Sequence, residues 1–189
     1  MSIAENVAAI KENIRAAAIA AGRDPDSILL CAATKMNDAE RVQQAIAAGV
    51  DCCGENRVQE LTQKLSENAY EGAPVHFIGH LQSNKIKYIA PFIHLIHSVD
   101  SLKLLQEINR QGEKVGRTIP CLLQIHIAKE ETKFGFSPDE CRALLYGNEW
   151  HQLKNVELRG LMCMASNTDD TQQIANEFNS VKALFDEIK

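Results

Sequence analysis

The chain has 189 residues, of which 45% are hydrophobic and 24% are charged, proportions typical of a folded globular protein. Its formal charge of -5 gives no basic surface for nucleic-acid binding, so we expect no nucleic-acid partner. We also expect no membrane partner, because no apolar stretch approaches the length of a membrane-spanning helix. The amphipathic N-terminus does not resemble a signal peptide, which predicts a cytoplasmic protein.

The first predicted element is an N-terminal helix. Ser2 and Glu5 have the spacing of a capping box. Gly22 is expected to end the helix, because glycine readily adopts the left-handed conformation that closes helices. The apolar residues that recur at helical spacing between these two signals are Ile3, Val7, Ile10, Ile14 and Ala17.

From residue 28 onward, short apolar runs alternate with amphipathic segments. The runs are typical of strands that are buried on both faces, and the segments after them predict helices. The helix after the first strand is expected from Asp38 to Gly49, and the one after the fifth strand has Ser137 as N-cap and Pro138 at its first position. The predicted strands are 28–34, 50–53, 76–78, 93–99, 121–127 and 156–164.

This alternation indicates an α/β protein with a parallel sheet and right-handed crossovers. The sequence contains neither GxGxxG nor GxxxxGK[ST], which argues against a nucleotide-binding doubly wound sheet. Short, even units favour a (β/α)8 TIM barrel, which has eight units, whereas this sequence provides about six plus the N-terminal helix. We therefore expect a single barrel domain over residues 1–189 that is C-terminally incomplete and lacks the last two βα units.

The six cysteines do not have the spacing of a metal site or a disulfide framework. None forms a CxxC pair, and most lie in apolar runs, so we predict reduced core thiols and no metal site. Two of them are adjacent, and in a strand their side chains would point to opposite faces. The six are Cys31, Cys52, Cys53, Cys121, Cys141 and Cys163.

Polar residues follow the first three predicted strands, at 34–35, 54–60 and 76–85. In a barrel these three loops open on one rim, where they converge on a ligand. Lys35 at the end of the first strand is solvated, paired with Glu55, or desolvated so that its amine becomes a nucleophile toward carbonyls. Asn56 and His80 supply hydrogen-bonding groups at the other two loops.

Several segments together resemble the pyridoxal-phosphate homeostasis proteins. They are Lys35 after an apolar strand, the run GENRVQE at 54–60, the run HFIGHLQSNK at 76–85, and further matches at 98–100, 124–136 and 160–162. The resemblance implies a single-domain barrel of the alanine-racemase N-terminal type. It also implies pyridoxal 5′-phosphate (PLP) held as a Schiff base on Lys35. Asn56, His80, Ser98 and Met162 would then contact the cofactor, with no catalytic residue.

The chain departs from that family's pattern at several positions. His126 replaces an asparagine, Met36 replaces a small or β-branched residue, and Cys53 stands where an aromatic residue is common. The family's Ser-Met-Gly-Met-Ser and Gly-Thr…Val-Arg-Ile-Gly runs, which bind the phosphate and face the pyridine nitrogen, do not occur in this sequence.

Residue type alone leaves other roles open for three of the candidates. The other role for Asn56 is the N-cap of the following helix. For His80 it is that of a loop histidine bonded to backbone, and for Met162 it is core packing.

Three hypotheses for function follow. The first is a PLP carrier in vitamin B6 homeostasis that is not an enzyme, as a monomer or weak homodimer. It rests on chemistry: proton transfer at both faces of an amino acid's α-carbon needs an acid or base on each face, and alanine racemases take one of theirs, a tyrosine, from a further domain. The second is a PLP-dependent racemase or lyase, and the third is a truncated form that binds no cofactor.

Overall fold

The structure is a computed structural model that describes residues 1–127 and 134–189. Part of the matched stretch 124–136, residues 128–133, therefore lies outside the described residues. The chain divides into two compact units, residues 1–76 and 77–189. Strand order follows sequence order, and the pairings described below are all parallel, as predicted.

The described residues contain seven helices and six strands, close to the predicted number and order. The strands are β1 (Cys31–Ala33), β2 (Cys52–Glu55), β3 (Val75–Phe77), β4 (Leu95–Val99), β5 (Ile119–Ile125) and β6 (Val156–Cys163). The helices are α1 (Ile3–Ala20), α2 (Ala39–Ala47), α3 (Val58–Ser66), α4 (Ile86–Ile89), α5 (Leu102–Lys114), α6 (Pro138–Tyr146) and α7 (Thr171–Ile188).

Local capping signals set the helix boundaries in the first unit. The Ser2 side chain accepts a hydrogen bond from the Glu5 N–H, and the Glu5 carboxylate accepts one from the Ser2 N–H at 2.7 Å, so the predicted capping box of α1 is confirmed. Gly22 follows the helix with φ +67°, the left-handed conformation that was expected of it. The Asp38 carboxylate accepts from the Arg41 N–H at 2.9 Å and begins α2.

The first two strands differ in length and position from the prediction. β1 pairs with β2 in parallel, with Cys31 opposite Cys52 and Ala33 opposite Gly54. β1 begins three residues later than predicted, because the Leu30 N–H donates to the Asp51 carboxylate at 2.7 Å and not to a strand carbonyl. β2 begins two residues later than predicted and ends at Glu55.

In the second unit β4, β5 and β6 form consecutive parallel pairs. β5 and β6 pair from Ile119 opposite Val156 to Ile125 opposite Cys163. Most apolar residues of β6 are only half-buried, so the expected burial of strands on both faces is not observed there. Most apolar side chains of β4, β5 and α5 are buried. The largest of them are Ile96, Leu105, Ile108, Ile119, Leu123 and Ile125.

Among the helices of the described residues, none is both long enough and apolar enough to cross a membrane.

Replacing Ser137 by Ala tests the N-terminal cap of α6. The Ser137 hydroxyl accepts from the Glu140 N–H at 3.2 Å, and the Glu140 carboxylate accepts from the Ser137 N–H at 2.8 Å. Loss of such a cap costs about 1 kcal/mol, so Ser137→Ala should lower the free energy of unfolding in urea by that amount. Ser180→Ala, at an exposed position inside α7, is the control. An equal loss in both variants would contradict the prediction.

Candidate functional site

Lys35 lies in the turn between β1 and α2, and its side chain is exposed. Its Nζ makes no hydrogen bond or ion pair with any residue that the structure describes. The alternative that Lys35 pairs with Glu55 is wrong, because Glu55 binds Lys64. Desolvation of the amine is not observed either. Of the three alternatives left open by the sequence, the structure shows the first: the Lys35 side chain is solvated.

The backbone around Lys35 is held by hydrogen bonds on both sides. The Thr34 carbonyl accepts from Lys64 Nζ at 2.7 Å, and the Met36 N–H donates to Glu60 Oε1 at 2.6 Å. The Lys35 carbonyl accepts from the Asn37 side chain at 3.0 Å. Met36 has φ +61°, which is uncommon for a residue with a side chain, and such backbone conformations persist where the surroundings enforce them. The Lys35 main chain is therefore held on both sides, whereas its side chain is exposed and makes no polar contact with the described residues.

The hydrogen bonds that fix this turn come from a buried group that we name the Lys64 cluster: Thr34, Glu55, Glu60, Lys64 and Tyr70. Lys64 is 4% exposed and Glu55 is fully buried. The ammonium of Lys64 lies 2.8 Å from Glu55 Oε1 and 2.8 Å from Glu60 Oε1. Glu55 Oε1 also accepts from Thr34 Oγ1 at 2.6 Å and from the Tyr70 hydroxyl at 3.2 Å. The cluster connects the ends of β1 and β2 to α3.

Charge and burial act in opposite directions inside the Lys64 cluster. Burial disfavours the ammonium of Lys64, but its hydrogen bonds to Glu55 and Glu60 outweigh this and raise the pKa of Lys64. Burial also opposes ionisation of Glu60, but the hydrogen bonds from Lys64 and from the Met36 N–H outweigh it and lower the pKa of that carboxyl. Burial and the neighbouring Glu55 charge raise the pKa of Tyr70, so its hydroxyl stays protonated and donates to Glu55.

Asn56 follows β2 directly and is half-buried. The N-cap of α3 is the next residue, Arg57, and no side chain makes a capping hydrogen bond there. The capping role that the sequence left open for Asn56 is therefore not observed. Asn56 and Lys35 each follow one of two paired strands in the first unit.

His80 lies in the second unit, after β3, in contact with two residues of other loops. Its Nδ1 is 3.4 Å from Asp100 Oδ2, and Asp100 directly follows β4. Its ring stacks on Phe134 with 4.0 Å between ring centres and an angle of 19° between the ring planes. His80 is therefore held by side chains, which differs from the backbone-bonded loop histidine that the sequence left open.

Residues 134–136 lie against the end of β5, and Phe134 contacts His80. The Gln124 side chain donates to the Phe134 carbonyl at 2.8 Å, and the Phe136 N–H donates to the Gln124 carbonyl at 2.8 Å. Gly135 between them has φ +142°, and a Cβ there would lie 2.7 Å from the His126 nitrogen, so this approach requires glycine. Met162 of β6 is half-buried and pairs in register with Gln124.

Ser98 lies near the end of β4 and is 1% exposed. Its hydroxyl has no hydrogen-bond partner among the described residues. One other buried side-chain atom of the described residues also lacks a partner, Glu55 Oε2. Buried polar atoms without a partner cost free energy and call for an explanation. A bound ligand with a polar atom at Ser98 would supply one.

The Lys64 cluster was not predicted from the sequence. Two signals for it exist: Glu60 and Lys64 have the i, i+4 spacing of a helical ion pair, and Lys64 falls on the same helical face as Val58 and Leu61. The partners of His80 lay within segments already matched to the family, Asp100 at 98–100 and Phe134 at 124–136.

Comparison with known proteins gives consistent results. The family described as alanine racemase, N-terminal domain, matches residues 6–189. A pyridoxal phosphate homeostasis protein of Pasteurella multocida is 34% identical over 191 residues, covering 100% of this chain and 81% of the relative. Another from Pseudomonas aeruginosa is 40% identical over 167 residues, covering 88% and 72%. The structure of PipY from Synechococcus elongatus PCC7942 with PLP bound has a TM-score of 0.83 at 30% identity, covering 99% of this chain and 82% of PipY.

These matches confirm the fold class that the sequence predicted. The parallel strands and flanking helices are those of the alanine-racemase N-terminal TIM barrel. The roles of the individual site residues stay predictions.

Replacing Lys64 by Met tests the Lys64 cluster. The change leaves the fully buried Glu55 carboxylate without its cation, and breaking one side of a buried ion pair costs about 3–5 kcal/mol. We expect that loss in the free energy of unfolding by urea. The double variant Glu55→Gln/Lys64→Met removes the uncompensated charge and should recover at least half of it.

The control is Lys11→Met, which breaks the partly exposed pair of Lys11 with Asp51 at 3.4 Å. Pairs of this kind contribute about 0–1 kcal/mol. If Lys64→Met cost no more than Lys11→Met, the Lys64 cluster would not stabilise the fold.

Proposed function

This chain belongs to the pyridoxal phosphate homeostasis protein family, and from that membership we propose that it binds PLP as a Schiff base on Lys35 and serves intracellular homeostasis of this vitamin B6 cofactor. The observation that carries the proposal is the position of Lys35, at the end of β1 on a fixed backbone with an accessible amine. Support comes from PipY, whose structure with PLP bound shares this fold at 30% identity.

The chemistry at Lys35 is condensation of an amine with an aldehyde. Lys35 Nζ forms the bond to the aldehyde carbon, and the aldehyde oxygen leaves as water. The Lys64 cluster fixes the backbone of the turn, because it hydrogen-bonds the Thr34 carbonyl and the Met36 N–H on either side of Lys35. When bound, PLP supplies an electrophilic carbon conjugated to a ring that withdraws electrons.

Four further residues are assigned to cofactor contact in this proposal. The Ser98 hydroxyl, buried and without a partner among the described residues, fits a polar atom of the cofactor. His80 Nδ1 lies 3.4 Å from the Asp100 carboxylate, so Nε2 is the ring nitrogen assigned to the ligand. Asn56 supplies a half-buried amide, and Met162 supplies apolar contact.

We further propose that the chain is not an enzyme. Racemisation needs an acid or base on each face of the substrate, and Lys35 serves one face. Each of the three tyrosines has another setting: Tyr70 is buried against Glu55, whereas Tyr88 on α4 and Tyr146 at the end of α6 are exposed. We also propose that the protein is cytoplasmic, has a single domain, and is a monomer or weak homodimer.

Replacing Lys35 by Ala tests covalent binding. Wild-type protein incubated with PLP should develop the yellow absorbance of a Schiff base, and borohydride should fix one cofactor to the peptide that contains Lys35. Lys35→Ala should lose both signals, because no amine remains at that position. Lys103→Ala, at an exposed position on α5, is the matched control and should keep them. A colourless wild-type protein with no borohydride-fixed cofactor would defeat the proposal.

A racemisation assay distinguishes a carrier from an enzyme. With PLP present, we expect D-alanine and D-serine to form from the L-amino acids at the same rate in wild type and in Lys35→Ala. Typical enzymes turn over at about 1–1000 s⁻¹. A wild-type rate in that range, lost in Lys35→Ala, would replace the carrier function by a racemase function.

A further inference from the structure

Three potential metal ligands lie side by side in the first unit, one on each of its strands. They are Cys31 on β1, Cys52 on β2 and His76 on β3, and one ligand atom of each lies within 4.8 Å of the other two. Cys31 and Cys52 are opposite each other in the strand register. The sequence predicted core thiols and no metal site. It missed this group because the ligands come from three strands and lack a short-range spacing pattern.

The three side chains share one face of the sheet. Side chains alternate along a strand, so Cys53 and Glu55 of β2 point to one face and Cys52 to the other. Glu55 binds Lys64 of α3, which places the Cys53 face toward α3. Cys52 therefore lies on the opposite face, together with Cys31 and His76. Cys52 and Cys53 therefore point to opposite faces, as predicted, and Cys52 is the one that lies beside the two further ligands.

The spacing of two of the ligand atoms, Cys52 Sγ and His76 Nδ1, matches tetrahedral coordination. Cys52 Sγ lies 3.6 Å from His76 Nδ1. In a tetrahedral zinc site with bonds of about 2.3 Å to sulfur and about 2.05 Å to nitrogen, these atoms are separated by about 3.6 Å. Two sulfurs and one imidazole nitrogen are also a ligand set that Zn²⁺ uses when a fourth position stays open.

The electrostatics of the group favour a cation. The hydrogen bond from the Cys31 thiol, with a contribution from His76, lowers the pKa of Cys52 although burial opposes the shift. The same hydrogen bond and burial raise the pKa of Cys31. Thiolate is the form of cysteine that binds metals, and the lowered pKa favours that form at Cys52.

We propose that Cys31, Cys52 and His76 bind one Zn²⁺ ion, with water as the fourth ligand. Each thiol that carries a proton releases it to solvent on metal binding, and the two thiolates and the imidazole nitrogen bond to zinc. None of the three ligands is a candidate PLP contact, so the site is separate from the function proposed above. Its effect is to connect the three strands of the first unit on the face opposite α3.

The test measures zinc binding by the reduced, PLP-free protein. Zn²⁺ is titrated in competition with a chromogenic chelator, and Co²⁺ is added in parallel to read the ligands from the absorption spectrum. We expect one equivalent of zinc per chain and a cobalt spectrum with thiolate charge-transfer absorption and tetrahedral d–d bands. Loss of a partner of a metal ligand already weakens affinity by about 10–100-fold, so Cys31→Ala and Cys52→Ala, which remove ligands, should weaken it by more than 100-fold.

The matched control is Cys53→Ala, which removes the neighbouring thiol on the other face of β2 and should leave zinc affinity unchanged. Circular dichroism checks that each variant folds, and Cys31→Ala at a half-buried position is the decisive variant if Cys52→Ala does not fold. Lys35→Ala should bind zinc like wild type, which separates this result from the PLP test. Wild-type zinc affinity in Cys31→Ala, less than one equivalent in wild type, or a cobalt spectrum without thiolate absorption would each overturn the proposal.

Discussion

The ion pair of Lys64 with Glu55 is the interaction on which the candidate site in the first unit depends. Glu55 ends β2 in full burial and its Oε1 accepts three hydrogen bonds, from Lys64, Thr34 and Tyr70. A buried carboxylate is tolerated only when it is paired and hydrogen-bonded. Because Lys64 also holds the Thr34 carbonyl, satisfying Glu55 at the same time fixes the end of β1. The position of Lys35 is thus a consequence of how the fold neutralises a charge on the neighbouring strand.

This arrangement separates the two requirements of a covalent carrier. The main chain at Lys35 is fixed by Lys64 and Glu60, whereas the Lys35 side chain is exposed and makes no polar contact with the described residues. An exposed amine is accessible both to an incoming aldehyde and to the water that reverses the linkage. Enzymes that use reactive intermediates exclude water from the reacting atoms. In the function proposed above, the exposure of Lys35 is the feature that makes the linkage to PLP reversible.

Features set by neighbouring residues could be predicted from the sequence, and features set by distant partners could not. The beginnings of α1 and α6 were found correctly because Ser2 with Glu5, and Ser137 with Pro138, act within one turn of helix. The bounds of β1 and β2 were displaced because they depend on which backbone group meets which across strands. Lys35 was predicted as the Schiff-base residue from its strand and the matching motifs. Its support by Lys64 was not, because Thr34 and Lys64 are 30 residues apart in sequence.

The two faces of β2 carry different polar groups, and both groups contact β1 or the residue that follows it. Toward α3, Glu55 pairs with Lys64 and fixes Thr34. On the other face, Cys52 lies beside Cys31 of β1, four residues before Lys35, and beside His76 of β3. A metal bound only by the folded chain adds its binding free energy to stability. Zinc in the proposed site would therefore hold β1 against β2 on one face while the Lys64 cluster holds it on the other. The strand that precedes Lys35 would then be fixed from both sides.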